Sequence, residues 1–282
     1  MTPQTPAQLG VCSWSMLAHN AAQLTDACAK VGVKRVQLAL VPHRDDPGAL
    51  DGVQEALAAK GITIVSGMFG TIGEDYTTPQ TIKETGGVLP DQHWEGNLKI
   101  AREVADRAVK LSLKMVMFHA GFVPHDHSDP VFRKMVDRVA AVAGVFAAKG
   151  IALLLETGQE TADDLWVFLR ALDTKGATNV GVNFDPANMI LYEKGEPIAA
   201  LKKLLPRVRS IHIKDAIQTK VPGTWGAEVP VGEGQVNWPA FFKVLAEGDY
   251  KGDLNIEREA GNDRIGDARK AVERLSKLMA SR

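Results

Sequence analysis

The segment IALLLETGQETADDLWVFLRALDTKGATNVGVNFD, residues 151–185, decides the fold. It opens on a short apolar run, IALLLE (151–156), and closes on another, NVGVNFD (179–185). Between them Thr161 and Asp164 have the spacing of a capping box, with Asp in place of the preferred Glu, and begin a helix that reaches about Leu172. Strand, helix and strand in this order form a βαβ unit. Near-continuous apolar strands belong to a parallel sheet buried on both faces. Both runs also stop at a carboxylate, Glu156 and Asp185.

The same alternation extends in both directions. Toward the N-terminus the expected strands are LGVCSW (9–14), RVQLAL (35–40), ITIVSGM (62–68) and KMVMFHA (114–120). Asn20 caps a helix to about Lys30. Pro47 opens a second that reaches Lys60, and a third runs from Asp91 to about Leu111. Asp129 and Pro130 start a fourth that ends at Gly150. Residues 69–90, with four Gly, two Pro and several Thr, read as a long loop over the mouth of the fold. Toward the C-terminus a helix runs from about Glu196 to Leu205, followed by the strand VRSIHIKD (208–215) and a second long loop at 216–236. A helix from Trp238 to Glu247, the strand GDLNIE (252–257) and an amphipathic helix from about Asp263 complete the chain. Eight strand–helix units with no linker predict a single-domain (β/α)8 TIM barrel over 1–282, a fold that takes about 250 residues. A doubly wound open sheet is the alternative. No Gly-rich dinucleotide fingerprint follows the first strand to support it.

Catalytic groups of such barrels sit at the C-terminal ends of the strands. Here the fifth to eighth strands end at Glu156, Asp185, His212 and Glu257. Three carboxylates converging on one side of the mouth repel one another, and a divalent cation removes the conflict. Mixed carboxylate and imidazole donors suit Mn, Mg, Co or Zn, so one such ion is the expected cofactor. Secondary candidates surround the quartet. His119 ends the fourth strand, and Trp14 ends the first, where it could equally stack on a ligand ring or fill the barrel core. Glu233 of VGEG (231–234) is expected at the mouth, and Arg258 and Glu259 adjoin a ligand. His125 and His127 form an H-D-H triplet read as a solvated loop.

The totals exclude several classes. With 33 basic against 34 acidic residues among 282, no basic field exists for nucleic acid. Cys12 and Cys28 read as reduced, buried thiols rather than a disulfide framework. MTPQTPAQLG has neither a basic nor an apolar leader region, and no apolar run reaches the ~20 residues of a membrane span, so a cytoplasmic protein without a membrane partner is expected.

The pieces LLLET (153–157), NFDPAN (183–188), HIKD (212–215), VGEGQVNW (231–238) and IERE (256–259) together resemble the xylose isomerase-like TIM-barrel superfamily, in its sugar phosphate isomerase/epimerase branch. The resemblance covers essentially the whole chain and is strongest over 151–259. It implies that Glu156, Asp185, His212 and Glu257 bind the metal and that Glu156 and Glu257 double as an acid/base pair on a sugar substrate. Homodimers or homotetramers are implied as well. Asn188 stands where ketose 3-epimerases usually have His, and Gln218 where they have Arg. Asn188 is therefore a substrate-contact candidate of altered type. Lys214 follows the HIKD pattern of inosose dehydratase-like members, so a lyase acting on a keto-sugar, keto-inositol or 3-keto-glycoside is the runner-up. An endonuclease IV-like nuclease and a non-catalytic sugar-binding barrel are the remaining readings.

Overall fold

Eight parallel strands close into a barrel, and the computed structural model describes residues 8–43, 47–48 and 51–280. The barrel strands are β1 (Leu9–Cys12), β2 (Arg35–Ala39), β3 (Thr63–Met68), β4 (Met115–Phe118), β5 (Ala152–Glu156), β6 (Val180–Phe184), β7 (Val208–Ile213) and β10 (Asp253–Ile256). Their order around the barrel is β1-β10-β7-β6-β5-β4-β3-β2, so sequence neighbours are spatial neighbours and β10 closes against β1. The remaining two strands, β8 (Asp215–Ile217) and β9 (Ala227–Val229), form an antiparallel hairpin above the mouth.

Ten helices accompany the strands among the described residues: α1 (Ala21–Val31), α2 (Val53–Ala58), α3 (Pro79–Thr85), α4 (Trp94–Lys110), α5 (Pro130–Ala147), α6 (Ala162–Thr174), α7 (Pro186–Leu191), α8 (Pro197–Leu204), α9 (Trp238–Glu247) and α10 (Arg264–Ala280). Their starts are chemically marked. The side chains of Asn20, Asp129, Thr161, Glu196 and Asn237 each accept from an amide of the first turn, satisfying donors that have no partner within the helix. Helix faces and outward strand residues form the main core, with Phe118, Phe146, Phe168, Phe184 and Phe241 fully buried.

The barrel interior is split. One side is filled by Cys12, Trp14, Ala39, Met68, Met117 and Leu154. The other carries buried polar groups, Asn183, Ser210, His212 and Asn255. Side chains alternate along a strand, so the residue two beyond an inward one also points inward. This rule sends Glu156 after Leu154, Asp185 after Asn183, His212 after Ser210 and Glu257 after Asn255, placing all four at the mouth.

Several boundaries differ from the sequence expectation. α2 begins at Val53, not at Pro47, because Gly48 takes a positive φ of 85° and breaks the run; residues 49–50 lie outside the described ones. The stretch 69–90 contains α3, capped by a reciprocal Thr78–Thr81 box that its polar sequence concealed. α7 was not expected, although Asp at the N-cap and Pro at the first turn mark its start. Trp14 lies in a 3-10 turn (Ser13–Met16) rather than in the first strand. No helix among the described residues is long and apolar enough to cross a membrane.

Candidate metal centre and its cavity

Glu156, Asp185, His212 and Glu257 converge as the alternation requires, each contributing one donor atom within 4.8 Å of the others. All four are buried. His212 Nδ1 faces the three carboxylates, at 2.8 Å from Glu156, 3.5 Å from Glu257 and 3.7 Å from Asp185. Its Nε2 lies 2.6 Å from Gln37 Oε1, and the Gln37 amide nitrogen donates to Ser66 at 2.9 Å. The amide oxygen only accepts, so Nε2 carries hydrogen and Nδ1 is the nitrogen turned toward the quartet.

The donor set fits a divalent cation on a specific observation. Asp185 Oδ1 is used up capping α7, where it accepts from Ala187 and Asn188 at 2.8 and 3.0 Å. Its Oδ2 is buried without any hydrogen-bond partner. A buried carboxylate oxygen is costly when left alone, and a cation is the partner its neighbours are arranged to share. Burial pushes the Asp185 carboxyl up to about 6 even with His212 and Lys214 beside it. Burial opposes ionisation of Glu156 as well, but His119 and His212 outweigh it and hold the group at about 2. Glu257 is held well below the usual range, because Lys214 and His212 overcome its burial. Cys12, against Gln37, is pushed up to about 12 by burial and stays a thiol. Among the described residues the one other potential ligand group, Cys12 with His212 and Glu257, shares two members with the quartet, so no three-metal set forms.

Every oxygen of the two glutamates is positioned. Glu156 meets Asn188 Nδ2 at 3.2 Å on one oxygen and His119 Nε2 at 2.9 Å on the other. Glu257 accepts from Trp14 Nε1 at 2.8 Å and from Lys214 Nζ at 2.7 Å. Trp14, His119, Asn188 and Lys214 therefore all reach the site, and all line a cavity of about 380 Å³ at the mouth. Glu233 does not. It is exposed on a turn, and the glycines flanking it fold around Asp215 instead of the cavity. Arg258 turns away from the cavity to bind Glu228 at 2.6 Å and Asp267 at 3.0 Å, whereas Glu259 faces it and takes Lys214 at 2.8 Å. His125 and His127 are not simply solvated, since both contact the Asp164 carboxylate, at 2.5 and 3.2 Å. Gln218 is exposed and bonds Glu193 at 2.9 Å.

The closed barrel and this placement of the quartet meet a family profile described as xylose isomerase-like TIM barrel, which matches residues 25–278. The chain belongs to that family. It is 24% identical to inosose dehydratase 1 of Bacillus cereus, over 73% of this chain and 72% of that one. The crystal structure of a xylose isomerase domain protein from Planctomyces limnophilus superposes with a TM-score of 0.81 at 34% identity, covering 91% of this chain and 92% of the other. A D-allulose 3-epimerase from Methylomonas sp. superposes with a TM-score of 0.70 at 16% identity, over 99% of this chain and 100% of its own, a likeness of fold.

Sequence reasoning missed Gln37, whose signal was a polar residue inside the apolar run RVQLAL. Replacing Gln37 with Leu should weaken binding of Mn by roughly 10–100-fold, because the imidazole loses the acceptor that fixes its tautomer and orientation. Titration calorimetry with Mn on wild type and Gln37→Leu checks this. Equal affinities would remove Gln37 from the site.

Proposed function

We propose that the chain is a divalent-metal-dependent isomerase or epimerase that abstracts a proton α to the carbonyl of a sugar or sugar derivative, through an enediolate. One observation carries the reading. Two fully positioned carboxylates, Glu156 on β5 and Glu257 on β10, border the same cavity from strands separated by β6 and β7. Inverting a carbon requires one carboxylate to remove the proton and a second, entering the step as the carboxylic acid, to deliver one to the other face, after which the two have exchanged protonation states; this pair supplies both. A cation held by the quartet would supply Lewis acidity, polarising the carbonyl and stabilising the developing negative charge.

The chain's own residues account for the remaining work. His119 aims one oxygen of Glu156, and Trp14 and Lys214 aim those of Glu257. Met68 and Phe69 line the cavity with apolar surface and limit water around the reacting carbon. Asn188 and Lys214 are the groups we assign to substrate hydroxyls.

A lyase outcome is the second reading, favoured by the similarity to an inosose dehydratase and by Lys214. Its ammonium lies at the cavity beside Glu257, where it could protonate a departing hydroxyl after the same first step. Incubating the Mn-loaded protein in D2O with a panel of keto-sugars, keto-inositols and 3-keto-glycosides separates the outcomes. Deuterium at the carbon next to the carbonyl, with conserved mass otherwise, supports epimerisation or isomerisation. Loss of water or of an aglycone supports the lyase. No exchange and no product across the panel would sink both.

A further inference from the structure

The cavity has two chemically different halves. At its floor lie Glu156 and Glu257 of the quartet. Its outer wall is built from Tyr76, Leu191, Tyr192 and Trp225. Trp225 reaches across the mouth from the β8–β9 hairpin, and its Nε1 donates to the Tyr76 carbonyl at 3.0 Å. Its ring stands edge-on to Tyr192, with centroids 4.9 Å apart and planes at 84°. Gly226 makes this approach possible, since a Cβ there would lie 2.4 Å from the Ile217 carbonyl oxygen.

Two polar groups of this wall are already committed. The Trp225 N–H is taken by Tyr76, and the Tyr76 hydroxyl lies 3.4 Å from Glu74. What remains for a ligand, apart from the Tyr192 hydroxyl, is aromatic and aliphatic surface. A second sugar ring would bury hydroxyls there without partners, which is unfavourable, whereas an apolar ring would not.

The charge inventory points to a neutral ligand. Glu74, Glu156, Glu228, Glu257 and Glu259 all line the cavity. Among the described residues, the sole lysine or arginine lining it is Lys214, which is shared between Glu257 at 2.7 Å and Glu259 at 2.8 Å. Arg258, close in sequence, is spent on Glu228 and Asp267. A phosphate or carboxylate entering this mouth would meet like charge and no uncommitted guanidinium or ammonium among the lining residues. The volume of about 380 Å³ falls in the range of roughly 300–1,000 Å³ typical of sites that enclose ligands larger than one small ring.

We propose that the cavity takes an uncharged glycoside, with its sugar ring at the quartet and an apolar aglycone against Trp225, Tyr192 and Leu191. This rests on the reading of the quartet as the metal site. The test uses the Mn-loaded full chain and three probes followed by calorimetry: methyl β-D-glucopyranoside, phenyl β-D-glucopyranoside and glucose 6-phosphate. Neither glucoside carries the carbonyl that turnover requires, so binding is read alone. Phenyl should bind about tenfold more tightly than methyl, the equivalent of one buried aromatic contact, and the phosphate should not bind. In Trp225→Ala the two glucosides should agree within about twofold, while Trp225→Phe should keep most of the preference because it retains a ring without the bond to Tyr76. Equal binding of the two glucosides to wild type overturns the proposal, as does binding of glucose 6-phosphate at least as tight as the methyl glucoside. Failure of either glucoside to bind at tens of millimolar, with Mn binding intact, overturns it and leaves the metal site standing. Failure of Mn itself to bind overturns both.

Discussion

Glu257→Gln should lower turnover by at least 10³-fold at saturating Mn, within the range of about 10²–10⁴ for loss of a positioned acid or base. The substitution preserves shape and changes three things. It removes the group assigned to carry the proton on one face of the substrate. It takes one of the three negative charges from the quartet, so Mn should also bind more weakly. It also forces an amide between Trp14 Nε1 at 2.8 Å and Lys214 Nζ at 2.7 Å, both of which donate, so one of them loses its acceptor. Lys214 keeps Glu259 at 2.8 Å, which should hold the fold together. Three readouts separate these effects: turnover at saturating Mn, Mn affinity by calorimetry, and the thermal midpoint. The exchange assay discriminates further. With two bases, Glu257→Gln and Glu156→Gln should each abolish epimerisation, yet each can still exchange the α-proton of the epimer that presents it to the surviving carboxylate. Undiminished turnover in either variant would sink the acid/base assignment.

The barrel and the quartet were legible for the same reason. Parallel barrel strands are covered on both sides, so they read as apolar runs, and a charged residue at the end of such a run is conspicuous. LLLE, VNFD, SIHI and LNIE each carry that signature, and the inward alternation Leu154/Glu156, Asn183/Asp185, Ser210/His212 and Asn255/Glu257 is written in the sequence as well. The surroundings were less legible because they depend on contacts between distant loops. Trp225 meets Tyr76 across 149 residues, and Gln37 meets His212 across 175. No local pattern announces such pairs. α3 and α7 escaped because seven and six residues are too few to show helical periodicity, even though Thr78 and Asp185 mark their starts. Glu233 was misplaced because a Gly-flanked glutamate near a barrel mouth has the composition of a ligand loop, while its geometry serves another residue.

That residue is Asp215, and its replacement by Ala should cost roughly 4–8 kcal/mol of stability, about 1–2 for each of four donors left without an acceptor. Asp215 follows Lys214 directly and is fully buried. One oxygen accepts from the amides of Ala216 at 2.9 Å and Val236 at 3.1 Å. The other accepts from the Gly232 amide at 2.7 Å and from Trp238 Nε1 at 2.9 Å. Four donors on one carboxylate fold the segment 231–238 around it, which accounts for the sequence VGEGQVNW. Glycine is required at 234, where a Cβ would fall 2.1 Å from the Asp215 carboxylate. Because α9 starts at Trp238, the same carboxylate ties the β7 end of the barrel to the helix behind it. Asp215→Asn should lose less than Asp215→Ala, since the amide oxygen still accepts while its NH2 meets other donors. Urea unfolding with Mn present and absent checks the prediction. The destabilisation should persist without Mn, because Asp215 is no part of the quartet, and the metal-dependent increment should change little. A loss that vanished on removing Mn would instead place Asp215 in the metal site and overturn its role as the anchor of this loop.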